Sequence, residues 1–175
     1  ESVRRIGSIA LVHETLARAA ADEVDFDNIV KPLVRMVEEG LTSPDRPVTF
    51  EIGGSGGKLA SEQATAMAVV LTELLQNVMD HAYPPGTLEP GEVGRVRITL
   101  SHDPEGLVAI VRDNGVGPSP DADPSASTSL GLSIVKGLLE DLQGTIVFGS
   151  ARGTPPRPGT QVELRMPTGL DGSSH

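Results

Sequence analysis

Apolar residues recur every three or four positions in four stretches of the chain, alternate with polar ones in three others and form short runs in two more. Over 2–20, Val3, Ile6, Ala10, His13 and Ala17 share one side while Arg4, Arg5, Glu14 and Arg18 lie around the rest, which predicts an amphipathic helix. Its stripe is narrow, as expected of one arm of a helical hairpin or coiled coil. A second helix is expected after Asp27 as N-cap, with Ile29, Leu33, Val34 and Val37 inward and Gly40 as its stop. Val48, Phe50 and Ile52 then alternate with Thr49 and Glu51, the period of a half-buried strand, and the run Gly53-Gly54-Ser55-Gly56-Gly57 ends it. The longest helix signal, 61–82, has neither Gly nor Pro and stops before Pro84-Pro85-Gly86. Strands at 96–100 and 107–112 follow, joined by the turn Asp103-Pro104-Glu105-Gly106. The stretch 113–129 carries Pro118, Pro120 and Pro124 but no Leu, Ile or Phe, and reads as a long mobile loop outside the core. A last helix, 130–142, puts Leu132, Val135 and Leu139 on one side, strands at 145–149 and 160–166 close the chain, and the residues after them are expected to fray. This order predicts an α+β fold, a mixed sheet covered on one face by helices.

Composition narrows the partners. The 175 residues suit one domain. No apolar run nears the roughly 20 residues that span a bilayer, so no membrane contact is expected of this chain. There is no leader pattern before the first helix, and the chain is expected to be a piece of a longer protein. With no Cys, thiol catalysis, thiolate metal sites and disulfides are excluded. Fourteen basic against 24 acidic residues give a net charge of -10, which repels phosphate backbones, and aromatic residues at 2% leave no stacking platform. Nucleic acid is therefore not an expected partner.

Four short segments could carry chemistry. Glu73, Asn77 and His81 fall at four-residue spacing in the long helix and share one face, which is either solvated or a site. Asp113-Asn114-Gly115-Val116-Gly117 follows a strand directly; alone it is common turn chemistry, although a strand-end carboxylate beside two glycines also lets another group approach the backbone. Ser129-Leu130-Gly131-Leu132 opens a helix whose free N–H groups could receive a phosphate, or Ser129 is simply an N-cap. Gly159-Thr160 before the last strand is bland by itself.

Their order is more telling than any one of them. Glu73-Leu74-Leu75-Gln76-Asn77 resembles the N box, Asp113 to Gly117 the G1 box, Ser129 to Leu132 the G2 box and Gly159-Thr160 the last box of the Bergerat-fold ATPases, which include gyrase, the heat-shock chaperone, sensor histidine kinases and the mismatch-repair ATPase. The resemblance covers about 48–167. Thr72 to Asn77 continuing through His81-Ala82, and Leu130-Gly131-Leu132-Ser133-Ile134-Val135, are most similar to sensor histidine kinases. Ser2-Val3-Arg4-Arg5-Ile6 with Ile9 to Glu14 resembles the second dimerisation helix of bacterial kinases whose acceptor motif reads His-Arg-x-Lys-Asn.

The resemblance implies an α/β sandwich with a mostly antiparallel sheet: residues 1–22 a remnant of the dimerisation hairpin, 23–168 the catalytic ATP-binding domain, and 169–175 a flexible tail. It implies that Asp113 accepts the adenine amino hydrogen, that Gly115 and Gly117 let the purine lie against the backbone, and that Thr160 supports that contact. Glu73 would act as the catalytic residue, orienting or deprotonating the attacking group. Asn77 would offer an oxygen to Mg²⁺, His81 would touch a phosphate, and the amides around Leu130, Gly131 and Leu132 would hold phosphate oxygens. The segment 118–128 falls where the family has its ATP lid. Two features depart from the pattern: Ser129 stands where many relatives have Gly, and the lid lacks the Phe of the commonest kinase class. None of His13, His81, His102 and His175 lies in a His-Arg-x-Lys-Asn sequence, so the acceptor His is expected upstream, outside this chain. The implied protein is a cytoplasmic two-component kinase working with its own upstream acceptor helix, as a homodimer in full length, and with a response regulator. Two alternatives stay open: an anti-sigma-factor-type serine kinase or switch protein, and an interaction module with a degenerate nucleotide pocket.

Overall fold

The computed structural model describes residues 23–118, 130–154 and 156–168. The expected helix at 2–20, most of the expected loop including Ser129, and the tail 169–175 lie outside these. The described chain runs β1 (Glu23–Asp25), α1 (Asp27–Leu41), β2 (Val48–Gly54), β3 (Lys58–Ala60), α2 (Ser61–His81), β4 (Gly94–Asp103), β5 (Gly106–Asp113), α3 (Leu130–Asp141), β6 (Thr145–Ser150) and β7 (Thr160–Pro167).

Five strands form one sheet in the order β2-β4-β5-β7-β6, with β2 parallel to β4 and every other neighbour antiparallel. The alternation that predicted the strands also assigns the faces. Val48 and Phe50 of β2, Val96, Ile98 and Leu100 of β4, and Val162, Leu164 and Met166 of β7 are buried, while Thr49, Glu51, Arg95, Arg97 and Thr99 point the other way and are exposed. The buried face packs under the helices. Ile29, Val30, Leu33, Val34 and Val37 of α1, Met67, Leu71, Leu74, Leu75 and Val78 of α2, and Leu132, Val135 and Leu139 of α3 join it in one core. This is the expected α+β layer arrangement, a mixed and mostly antiparallel sheet with helices on one face.

Two local expectations are corrected and a third is extended. Asp27 is the first residue of α1 rather than its N-cap, which is Phe26. Its carboxylate instead accepts from the Ser55 hydroxyl at 2.5 Å and the Gly56 N–H at 2.9 Å, tying the helix start to the glycine-rich loop. Gly40 does not stop α1, because Leu41 is buried and carries the helix one residue further; Thr42 then closes it by donating its hydroxyl to the Glu38 carbonyl at 2.7 Å. The glycine-rich run does end β2, at Gly54, with a loop after it, but a short strand that was not expected follows. This strand, β3, pairs antiparallel with β1 through Val24 opposite Leu59, both buried. Each of these strands has three residues, too few for alternation to register in the sequence.

Candidate nucleotide site

β5 is the central strand and Asp113 is its last residue, opposite Val96 on β4 and one step beyond the Arg112–Gln161 pair with β7. The residue is only 4% exposed. Oδ1 accepts two backbone N–H bonds, from Gly115 at 2.9 Å and from Thr160 at 3.2 Å. Burial pushes the Asp113 carboxyl above its ordinary range, and those two donors pull it back in part. Both bonds fall on the same oxygen, so neither uses Oδ2.

The loop after Asp113 is held by the chain itself. Val116 N–H donates to the Ala82 carbonyl at 2.9 Å, and Gly159 N–H donates to the Gly115 carbonyl at 3.0 Å. A Cβ on Gly115 would come within 2.2 Å of the Ala82 carbonyl oxygen, and one on Gly159, where φ is +69°, within 2.1 Å of the Asp113 carbonyl oxygen. Gly117, at φ +77°, meets Pro158 in the same way at 2.8 Å. The glycines expected for close approach of a ligand are thus already required by the packing of α2's end and the last box against the Asp113 loop.

Tyr83, the only tyrosine, sits at the centre of this knot and is fully buried. Its hydroxyl accepts from the N–H groups of Arg95 at 3.2 Å and Asn114 at 3.3 Å, and lies 2.6 Å from Asn114 Oδ1 and 3.0 Å from the Arg95 carbonyl, either of which can take its proton. Burial foremost, and then the charge of Asp113, push its phenol up to about 12. Sequence reasoning gave Tyr83 no role; the available signal was a lone tyrosine two residues beyond the end of a polar helix stripe. Arg157 was missed as well. It pairs with Glu92 and so ties the segment carrying Pro158 to the connection before β4.

The α2 stripe grades from core to solvent: Glu73 is 6% exposed, Asn77 is half-buried and His81, the last residue of the helix, is exposed. A purely solvated face is therefore ruled out at its Glu73 end. Leu130, Gly131 and Leu132 form the first turn of α3, which packs against α2, with Gly131 and Leu132 buried. Three of the four expected segments are directly joined, through Ala82, Gly115 and Gly159, and the fourth is brought alongside by the packing of α3 on α2. Among the described residues no three His, Asp or Glu side chains cluster as a metal site of their own.

Arranged this way, a carboxylate at a sheet end with one oxygen pre-set by N–H donors can receive an amino group, beside a helix carrying a carboxylate, an amide and an imidazole. The description "Histidine kinase-, DNA gyrase B-, and HSP90-like ATPase" matches residues 62–170, and the chain belongs to that family. Among particular proteins, it is 36% identical over 173 residues to the sensor histidine kinase PdtaS of Mycobacterium tuberculosis, a match covering 98% of this chain and 33% of that protein. The PdtaS of Mycolicibacterium smegmatis is 35% identical over 170 residues, covering 97% of this chain and 32% of the relative. The chain thus spans about a third of the length of the curated relatives it matches. In fold it is similar to the histidine kinase domain of the blue-light-activated kinase EL346 from Erythrobacter litoralis, with a TM-score of 0.77 at 20% identity over 95% of this chain and 74% of that one.

Proposed function

We propose that this chain binds Mg-ATP between α2, the Asp113–Gly117 loop and α3, and that it is the catalytic part of a bacterial two-component sensor histidine kinase. The observation that carries the reading is the buried Asp113 carboxylate, whose Oδ1 is fixed by Gly115 and Thr160. With Oδ1 so held, Oδ2 is the natural acceptor for an exocyclic amino group. Adenine offers an amino hydrogen at that position and guanine a carbonyl oxygen, so the pocket selects adenine. Gly115 and Gly117 keep the backbone bare on that side, and Thr160 holds the carboxylate.

On α2, Glu73 orients the attacking imidazole and takes its proton as the nitrogen–phosphorus bond forms and ADP departs. Asn77 supplies one oxygen to Mg²⁺, which arrives with the nucleotide phosphates; a single neutral donor, with no acidic cluster among the described residues, suits a metal bound chiefly by its substrate. When bound, the ion neutralises phosphate charge. His81 meets a phosphate at the exposed helix end, and the amides of Leu130, Gly131 and Leu132 hold phosphate oxygens at the start of α3. Such amides let a chain of net charge -10 accept a polyanion without a lysine cluster.

The acceptor is a His on the kinase's own upstream dimerisation helix, outside this chain, and the phosphoryl group passes on to a response regulator. The full-length protein is a homodimer that does this work in the cytoplasm; no described helix is long and apolar enough to cross a membrane. The anti-sigma-factor reading finds no support, since the relatives above are named sensor histidine kinases. Calorimetric titration of Mg-ATP is expected to show binding that falls at least about tenfold in Asp113→Asn, as loss of a bond to a charged acceptor implies, and no comparable binding of Mg-GTP. A folded chain that binds neither nucleotide would leave the degenerate interaction module as the better reading.

A further inference from the structure

The face of the sheet away from the helices carries a feature the nucleotide reading does not use. β4 presents Arg95 and Arg97 to it and β5 presents Arg112, all exposed. The register sets Arg97 directly opposite Arg112, and like charges so placed repel across a sheet. Among the described residues only Arg97 of the three has a carboxylate partner: Glu51, on the neighbouring β2, at 2.8 Å, with the two side chains 66% and 48% exposed. Arg112 donates to a neutral acceptor, the Ala151 carbonyl, at 2.7 Å. Glu163, opposite Ile110 on the same face, is paired with Arg165, so these three guanidiniums stand against the one carboxylate of Glu51 and leave two positive charges in excess, on a chain whose net charge is -10.

Together with Thr99 and Ile110 these residues line a solvent-open depression of about 380 Å³. Asp113 reaches its edge from the buried face of the sheet, where it lies opposite Val96 and its Oδ1 accepts from the Gly115 and Thr160 amides. Glu51 is held below the usual carboxylate range by its bond and charge contact with Arg97, and the charge of Arg95 adds to the effect.

We propose that this face is a docking surface for an acidic segment of a partner protein, whose carboxylates are taken by Arg95, Arg97 and Arg112. Guanidinium forks match carboxylates in paired hydrogen bonds, and the Thr99–Ile110 floor accepts the aliphatic stems between them. The occupant is compact because the island is small. A long polyanion, whether nucleic acid or an anionic bilayer, would extend beyond it onto a molecule of like charge, whereas a short acidic segment meets the island alone.

The test follows the arginine Nε–Hε resonances of the whole chain while a hexaglutamate peptide is added at low salt, with a short DNA duplex in a parallel arm. The proposal expects saturable shifts of Arg95, Arg97 and Arg112 without a shift of Arg165, which lies toward the far end of the same face. It also expects at least about tenfold weaker peptide binding in the Arg95→Gln/Arg97→Gln double variant. That variant leaves Arg112 and its tie to Ala151 in place, and an unchanged thermal midpoint shows that it folds. Shifts spread evenly over all arginines, no saturable shift, or tighter binding of the duplex than of the peptide would each overturn it.

Discussion

The two walls of the proposed nucleotide site are held by different means. At the sheet end, Asp113, Gly115, Gly159 and Thr160 are locked to one another and to Ala82 by backbone hydrogen bonds, with Tyr83 buried behind them. Along α2, Glu73, Asn77 and His81 share one face through the helical repeat, and they pass from buried at Glu73 to exposed at His81. The first wall is pre-organised, so its geometry can discriminate between bases without rearrangement. In the proposed reading it is the more open end of the second, at Asn77 and His81, that meets phosphates and a metal. A rigid end for recognition and a more open row for charge is an economical division within a single fold.

The contrast can be broken most forcefully at Gly159. Gly159→Ala forces a methyl group against the Asp113 carbonyl at a φ of +69°, and is expected to cost about 3 kcal/mol and to lower Tm by roughly 10 °C. An unchanged Tm would mean that the sheet end is not locked. A smaller effect is expected of Tyr83→Phe, which removes the hydroxyl shared by Arg95 and Asn114 while keeping the ring. Denaturant unfolding should show a loss of about 1–2 kcal/mol, and nucleotide affinity should fall with it because the Asp113 loop loosens. Smallest in stability is Asn77→Ala, within about 0.5 kcal/mol at its half-buried position. Its effect should appear instead as a weakened dependence of ATP binding on Mg²⁺, read by titration with and without the ion. If Asn77→Ala unfolds the chain as readily as Tyr83→Phe, the two walls are equally structural.

Much of this was legible in the residue pattern. All five strands of the main sheet were located to within about three residues: β2, β4 and β7 by alternation, because they bury one face against helices and turn the other outward, and β5 and β6 as short apolar runs. The long helix was equally plain, since nothing between Ser61 and His81 interrupts it. What failed to register was short or indirect. β1 and β3 have one buried residue each, and Asp27 could not be distinguished from an N-cap, since its actual partners lie 28 and 29 residues away. Tyr83 and Arg157 act through contacts with no sequence period at all.

By itself, then, the sequence determined the layers, the order of the elements and the four polar segments, because periodicity and glycine placement are local properties of a chain. Only the tertiary structure decided why Gly115 and Gly159 must be glycine, that Glu73 is buried while His81 is exposed, and that Arg97 faces Arg112 across the outer sheet. Each of these depends on which strand lies beside which and on which helix end meets which loop, and such neighbours are fixed by packing the whole core at once.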